Sequence, residues 1–234
     1  MDSAELEAAI AGRHWFHSIE VAPGVWTQGY YKPDPPWLFS IVKLPERMDG
    51  MRALDMGCAD GAYAFEMVRR GAVVTAVDVF SHDFRNVEFL ARIWNLPITY
   101  RQSTVYNLKD GPFDLVLAMG VLYHLQYPLL GLHCLNALCA PGATLLLESE
   151  SRKSWGRLSM RFLPKSELNH DTSNWWVPTR KCLLAMLETA GFEIERHFSH
   201  AKGRYLIRAR KAREQPPAFD PVAVFMANFG TPPP

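Results

Sequence analysis

The chain has 234 residues, 48% of them hydrophobic, and a formal net charge of +1. This excludes a mainly disordered chain, suits one large domain, and gives no global field that would select nucleic acid or an anionic membrane. No apolar run approaches the ~20 residues of a membrane span, and the first residues carry Asp2, Glu5 and Glu7 rather than a basic flank before an apolar run.

Cys58, Cys134, Cys139 and Cys182 form no CxxC pair or regular framework, so reduced thiols and a cytoplasmic location are expected. Residues 2–13 predict a short helix with Leu6 and Ile10 on one face. An irregular aromatic segment follows, and Asp34 before Pro35 and Pro36 opens a helix through Trp37, Ile41 and Leu44. From Arg52 the pattern alternates. Strands are predicted at 52–56, 73–78, 97–101, 113–118 and 143–149, and helices at 61–70, 82–94, 128–139 and 179–190. "LVLAM" and "TLLLES" are near-continuous apolar runs, as expected of parallel strands covered on both faces. "FEIERHFSH" and "RYLIRARKA" close the pattern as a hairpin around Lys202 and Gly203.

The expected fold is α/β, a doubly wound, mostly parallel seven-stranded sheet of Rossmann-like type. Three regions are expected: an N-terminal helix and aromatic lid over 1–45, an α/β core over 46–213, and a Pro-rich tail over 214–234. An insertion over 151–176 follows the fifth core strand. The tail contains Val222, Val224, Phe225 and Phe229 and is expected to dock rather than hang free. Lid residues 14–32 show little periodicity and predict a segment with few backbone partners, to be ordered by a ligand.

In such a sheet the ligand lies beyond the carboxyl ends of the strands. The first turn reads Asp55-Met56-Gly57-Cys58-Ala59-Asp60-Gly61. It lacks the GxGxxG spacing that brings a helix N-terminus to a pyrophosphate, and two acids flank it. A nucleoside without phosphate, carrying an ammonium group, suits these acids better. S-adenosylmethionine (SAM) is such a molecule. Gly57 and Gly61 would let the backbone approach it. Asp78, 21 residues after Gly57, can accept two ribose hydroxyls, although dinucleotide folds share this feature. Asp55 fits a structural role as well as a direct contact.

"LDMGCADG", "AVDVF" and "LAMGVLYHLQYPL" resemble the class I SAM-dependent methyltransferases. With "HWFHSIEVAPGVWTQGYY" and "NWWVPTRKCLLAMLETAGF", the resemblance narrows to the tRNA wobble-uridine carboxymethyltransferase branch and covers roughly 14–210. It implies that Asp78, Val79 and Phe80 meet the ribose and adenine, and that Val105 and Tyr106 flank the adenine. It further puts Met119 beneath the cofactor, Tyr123 near its methionine end, and His17 and Tyr31 over it from the lid. The carboxymethyl-transferring members use a lysine where this chain has His17, and an arginine near the C-terminus. No Arg or Lys follows Glu214 here, so ordinary SAM is the expected donor, with no metal.

Methyl transfer from a sulfonium is an in-line displacement, and a base is needed only if the acceptor holds a proton. His17, Tyr123 and Trp175 are the candidate catalytic residues, with His124 a further candidate base or a structural helix start. Trp15, Phe16, Trp26, Tyr30, Tyr31 and Trp176 either face the sulfonium or pack the lid. Asn174 offers an amide to a substrate or closes a turn. Arg152, Lys153, Arg157, Arg161 and Lys165 in the insertion, interleaved with Trp155 and Phe162, read as an RNA contact or as a solvated face, the latter favoured by the small net charge. Lys202, Arg204, Arg208, Arg210, Lys211 and Arg213 in the hairpin read as a charged edge strand. The expected activity is methyl transfer to a small molecule. Self-cyclisation of SAM to azetidine-2-carboxylate and methylthioadenosine is the first alternative, and tRNA modification the second. Nucleic acid and membrane partners are not expected, and the oligomeric state stays open.

Overall fold

A computed structural model describes residues 2–79, 86–153 and 156–212. The tail and Phe80 therefore lie outside the described residues, as do positions 82–85 of the predicted helix at 82–94.

The chain opens with α1 (Ser3–Ala11), capped by a reciprocal Asp2–Glu5 box. β1 (Glu20–Ala22) and β2 (Val25–Trp26) form a small antiparallel ribbon that the sequence did not suggest. α2 (Pro35–Ile41) starts at Asp34, whose side chain accepts the Trp37 amide. It ends earlier than predicted. Lys43 takes a left-handed conformation, so Leu44 is buried beyond the helix rather than within it.

The core then alternates as expected: β3 (Arg52–Met56), α3 (Ala62–Arg69), β4 (Val73–Asp78), α4 (Asn86–Trp94), β5 (Ile98–Gln102), β6 (Phe113–Met119), α5 (Pro128–Leu138) and β7 (Cys139–Glu150). A second small ribbon, β8 (Met160–Phe162) with β9 (Trp176–Pro178), belongs to the insertion. α6 (Arg180–Thr189), capped by Thr179, leads into the hairpin of β10 (Phe192–Ala201) and β11 (Arg204–Lys211).

The sheet has seven strands in the order β10-β11-β7-β6-β3-β4-β5. β7, β6, β3, β4 and β5 run parallel, β11 is antiparallel to β7, and β10 is antiparallel to β11. Chain order reverses between β3 and β6, so the crevice opens beyond Met56, Asp78, Met119 and Glu148. Phe39, Phe65, Leu117, Leu146 and Leu206 fill one face of the sheet; Leu54, Val116, Leu132, Leu145, Leu183 and Ile207 fill the other. Each such side chain contributes roughly 1.5–3 kcal/mol on burial. Among the described residues, no helix is long and apolar enough to cross a membrane.

Two expectations need correction. β11 is not an edge strand, because it lies between β7 and β10. Two of its arginines are accommodated there by carboxylates on β10: Arg208 bonds Glu195 at 2.8 Å and Arg210 bonds Glu193. The lid, in turn, has backbone partners of its own. Ser18 N donates to Tyr31 O at 2.7 Å, Tyr31 N to Phe16 O at 3.1 Å, and Thr27 N to Ile19 O at 2.9 Å. The two ends of the lid segment thus close on each other, an arrangement that no periodicity reports.

Candidate functional site

The glycine turn is shaped by what surrounds it. Gly57 has φ +75°, and a Cβ there would lie 2.4 Å from Val121 Cγ2. Gly61, at φ +82°, is the N-cap of α3 and brings no capping side chain. Asp78 ends β4 and secures the turn: Oδ2 accepts the Ala59 amide at 2.8 Å and Oδ1 accepts the Val79 amide at 2.7 Å. Asp78 is therefore a backbone anchor that still borders the crevice.

The crevice is an open cleft of about 2440 Å³, larger than the ~300–1,000 Å³ of a typical single-ligand pocket. Its wall brings together most of the expected residues: His17, Tyr31, Gly57, Asp78, Val79, Val105, Tyr106, Met119, Tyr123 and Trp175. Asp55 and Gly61 do not line it. Asp55 is 1% exposed beneath the turn. Burial, reinforced by Asp78, pushes its carboxyl up to about 7. Trp15, Phe16 and Tyr30 also border the cleft, whereas Trp26 and Trp176 do not. Lys32 lies 3.8 Å over the Trp26 ring, and Trp176 donates to Gln126 O, so both are taken up in packing.

Each candidate base has a distinct environment. His17 is 5% exposed, and burial lowers its imidazole to about 4. It is therefore neutral near pH 7 and a weak base. His124 places Nδ1 2.9 Å from Ser173 Oγ, and burial lowers it too. The Tyr123 hydroxyl accepts from Arg204 at 2.9 Å, and burial raises its phenol. Trp175 donates its amide to Tyr123 O at 2.8 Å and tethers the insertion to the helical turn that follows β6. Asn174 is buried, borders the cleft and donates to Leu168 O.

Two clusters escaped the sequence reading. At the end of β7, Glu148 is buried against Arg204, with Nε and NH2 each 2.6 Å from its two oxygens. Glu150 lies 3.7 Å from Arg204, and His200 lies 3.7 Å from Glu148. An acid inside the apolar run "TLLLES" was the available signal. At the turn, Asp60 Oδ2 accepts the Phe16 and His17 amides at 2.7 and 2.6 Å. Asp60 Oδ1 accepts Asn86 Nδ2 at 2.7 Å. Nothing in the sequence linked residues 16–17 to residue 60. Among the described residues, no group of three His, Cys, Asp or Glu side chains could hold a metal ion.

Comparison with known proteins agrees with this geometry. Residues 38–197 match the family model described as a methyltransferase domain. The ubiquinone biosynthesis O-methyltransferase of Alkalilimnicola ehrlichii is 30% identical over 59% of this chain and 60% of its own. The tRNA U34 carboxymethyltransferase of Pseudomonas putida is 31% identical over 67% of this chain and 50% of its own. The chain thus spans about half to three-fifths of these relatives' length. Among solved structures, the N-terminal domain of EvdMO1 with S-adenosylhomocysteine (SAH) bound aligns with TM-score 0.70 at 21% identity, over 91% of this chain and 98% of its own. The 1,6-didemethyltoxoflavin-N1-methyltransferase of Burkholderia thailandensis, with SAH and its substrate bound, aligns with TM-score 0.59 at 20% identity, over 76% of both chains. On the family match and the sheet order together, the chain belongs to the methyltransferase domain family and has the class I fold of the SAM-dependent methyltransferases.

Proposed function

We propose that the protein transfers a methyl group from SAM to a small-molecule acceptor. One observation carries the choice of donor. The first turn ends at Gly61 with the Asp60 carboxylate buried beside the α3 N-terminus, where it borders the cleft. Carboxylates there oppose a pyrophosphate and tolerate a cationic nucleoside.

In this reading Asp78, at the end of β4, accepts the ribose hydroxyls. Val79, Val105 and Tyr106 flank the adenine. Gly57 and Met119 form the floor, and Tyr31, His17 and Tyr123 surround the methionine end. SAM supplies a methyl group activated by its sulfonium. The chain aligns the acceptor and excludes water, and the aromatic rings of the lid favour positive charge.

The relatives are named for ubiquinone biosynthesis and for tRNA U34, which offer two classes of acceptor. Three features support a small molecule. The cleft has room beside a nucleoside. The net charge is +1. The hairpin arginines Arg204, Arg208 and Arg210 are each held by glutamates rather than left for phosphates.

Incubation with SAM, followed by mass spectrometry, tests this reading. SAH should form with a nuclease-treated metabolite extract and not with total tRNA. SAH formed only with tRNA would overturn the acceptor class. Methylthioadenosine and azetidine-2-carboxylate from SAM alone would replace transfer with self-cyclisation.

A further inference from the structure

We propose that Asp60 is a positioning residue for the methionine half of SAM. It clamps the aromatic lid onto the glycine turn and so sets how tightly that half, rather than the adenosine, is held. The inference rests on the SAM reading above.

The Asp60 side chain is the junction of three separate pieces of chain. Its Oδ2 accepts two successive lid amides, Phe16 N and His17 N. Its Oδ1 accepts Asn86 Nδ2, at the start of α4. Asn86 Nδ2 also donates to His14 O at 2.7 Å, and Arg13 donates to Asn86 Oδ1 at 3.3 Å. The lid is therefore gripped from both sides, directly by Asp60 and through Asn86. Asp60 is 2% exposed and Asn86 is fully buried, so water does not replace these bonds.

The clamp acts on one end of the cleft. Beyond Asp60, His17 bridges Tyr31 in the backbone, and Phe16 packs edge-on against Tyr30 at 5.1 Å. His17 also meets Tyr63 of α3, with ring centroids 6.3 Å apart. The lid thus rests on α3 and the turn. The adenine wall is built elsewhere, by Val79 after β4 and by Val105 and Tyr106 after β5.

Only a carboxylate suits position 60. Three N–H donors converge on it, and its two oxygens accept all three. An amide of the same shape would set its own NH2 against a donor. Loss of the clamp should therefore free the lid while leaving the adenosine contacts in place.

SAH and adenosine titrated into the wild-type chain, Asp60→Asn and Asn86→Ala test this, with hydrogen exchange read at Phe16 and His17. In Asp60→Asn, SAH affinity should fall about tenfold or more and adenosine affinity stay within about twofold. Exchange at both amides should accelerate. Asn86→Ala, which keeps the carboxylate, should show the same split at about threefold, and it carries the test if Asp60→Asn does not fold. Wild-type SAH affinity in these variants, or equal losses for SAH and adenosine, would overturn the proposal. Failure of the wild-type chain to bind SAH would instead remove the SAM reading, and this inference with it.

Discussion

Arg204, at the first position of β11, grips Glu148 near the end of β7 through two contacts of 2.6 Å. The same guanidinium donates to the Tyr123 hydroxyl and lies 5.1 Å from the centroid of its ring. The hairpin that ends the sheet therefore fixes the aromatic side chain at the end of the cleft. The two partners are unequally buried, with Glu148 at 4% and Arg204 at 27% side-chain exposure.

This asymmetry predicts unequal costs. Arg204→Met leaves a buried carboxylate without its cation and should destabilise the fold by about 3 kcal/mol. Glu148→Gln leaves a cation that water partly reaches and should cost about 1–2 kcal/mol. Urea denaturation of both variants measures the difference. Equal costs, or a larger cost for Glu148→Gln, would show that the pair does not bear on folding in this way.

The buried groups predict opposing pH effects. The Asp55 carboxyl titrates near 7 in the fold, against ~3.9 in the unfolded chain. Between those values the folded state holds an extra proton, so stability falls as pH rises, by on the order of 4 kcal/mol. Asp55→Asn should remove this slope and make the variant the more stable chain at pH 8. His17 works the other way. Its folded value near 4 lies below the unfolded ~6.5. The unfolded state therefore binds the extra proton, and acidification from 6.5 to 4 costs about 3 kcal/mol. His17→Gln should flatten that limb. Stability–pH curves parallel to wild type in either variant would contradict the assignment.

Asp78 anchors the turn and, in our reading, the ribose. Asp78→Ala should weaken SAH binding by about 1–3 kcal/mol and also lower stability, because the Ala59 and Val79 amides lose their acceptor. Calorimetric titration and denaturation of the one variant separate the two effects. Full SAH affinity in the folded variant would leave Asp78 as a structural anchor alone.

The lid should behave as a held cover. The amides of Phe16, His17, Ser18 and Tyr31 are all accepted within the protein, so they should exchange slowly before any ligand is added. Tyr31 is 42% exposed and borders the cleft. Tyr31→Ala should reduce SAM affinity several-fold, roughly 1 kcal/mol, with little change in stability. Fast exchange at these four amides would restore the picture of a lid ordered only by ligand.

Most of the fold was legible because its signals are local. Apolar runs gave the parallel strands. Asp34 before Pro35 and Pro36 marked a helix start, and Lys202-Gly203 marked the hairpin. The glycine turn and Asp78 were legible as well, being joined by one βαβ unit. What stayed hidden depends on contacts between distant segments. Asp60 was read as an acid beside a ligand, yet its partners are 43 and 44 residues away in the lid. Arg204 was read as surface charge because Glu148, 56 residues earlier, gave no sign of meeting it. The β1–β2 ribbon escaped because three- and two-residue strands carry no periodicity.

The central claim is that the acid-flanked turn and Asp78 hold SAM rather than a dinucleotide. Calorimetric titration of the purified chain with SAH and, separately, with NAD tests it most directly. The account predicts one SAH bound per chain and no measurable heat of binding with NAD. NAD binding tighter than SAH would contradict it.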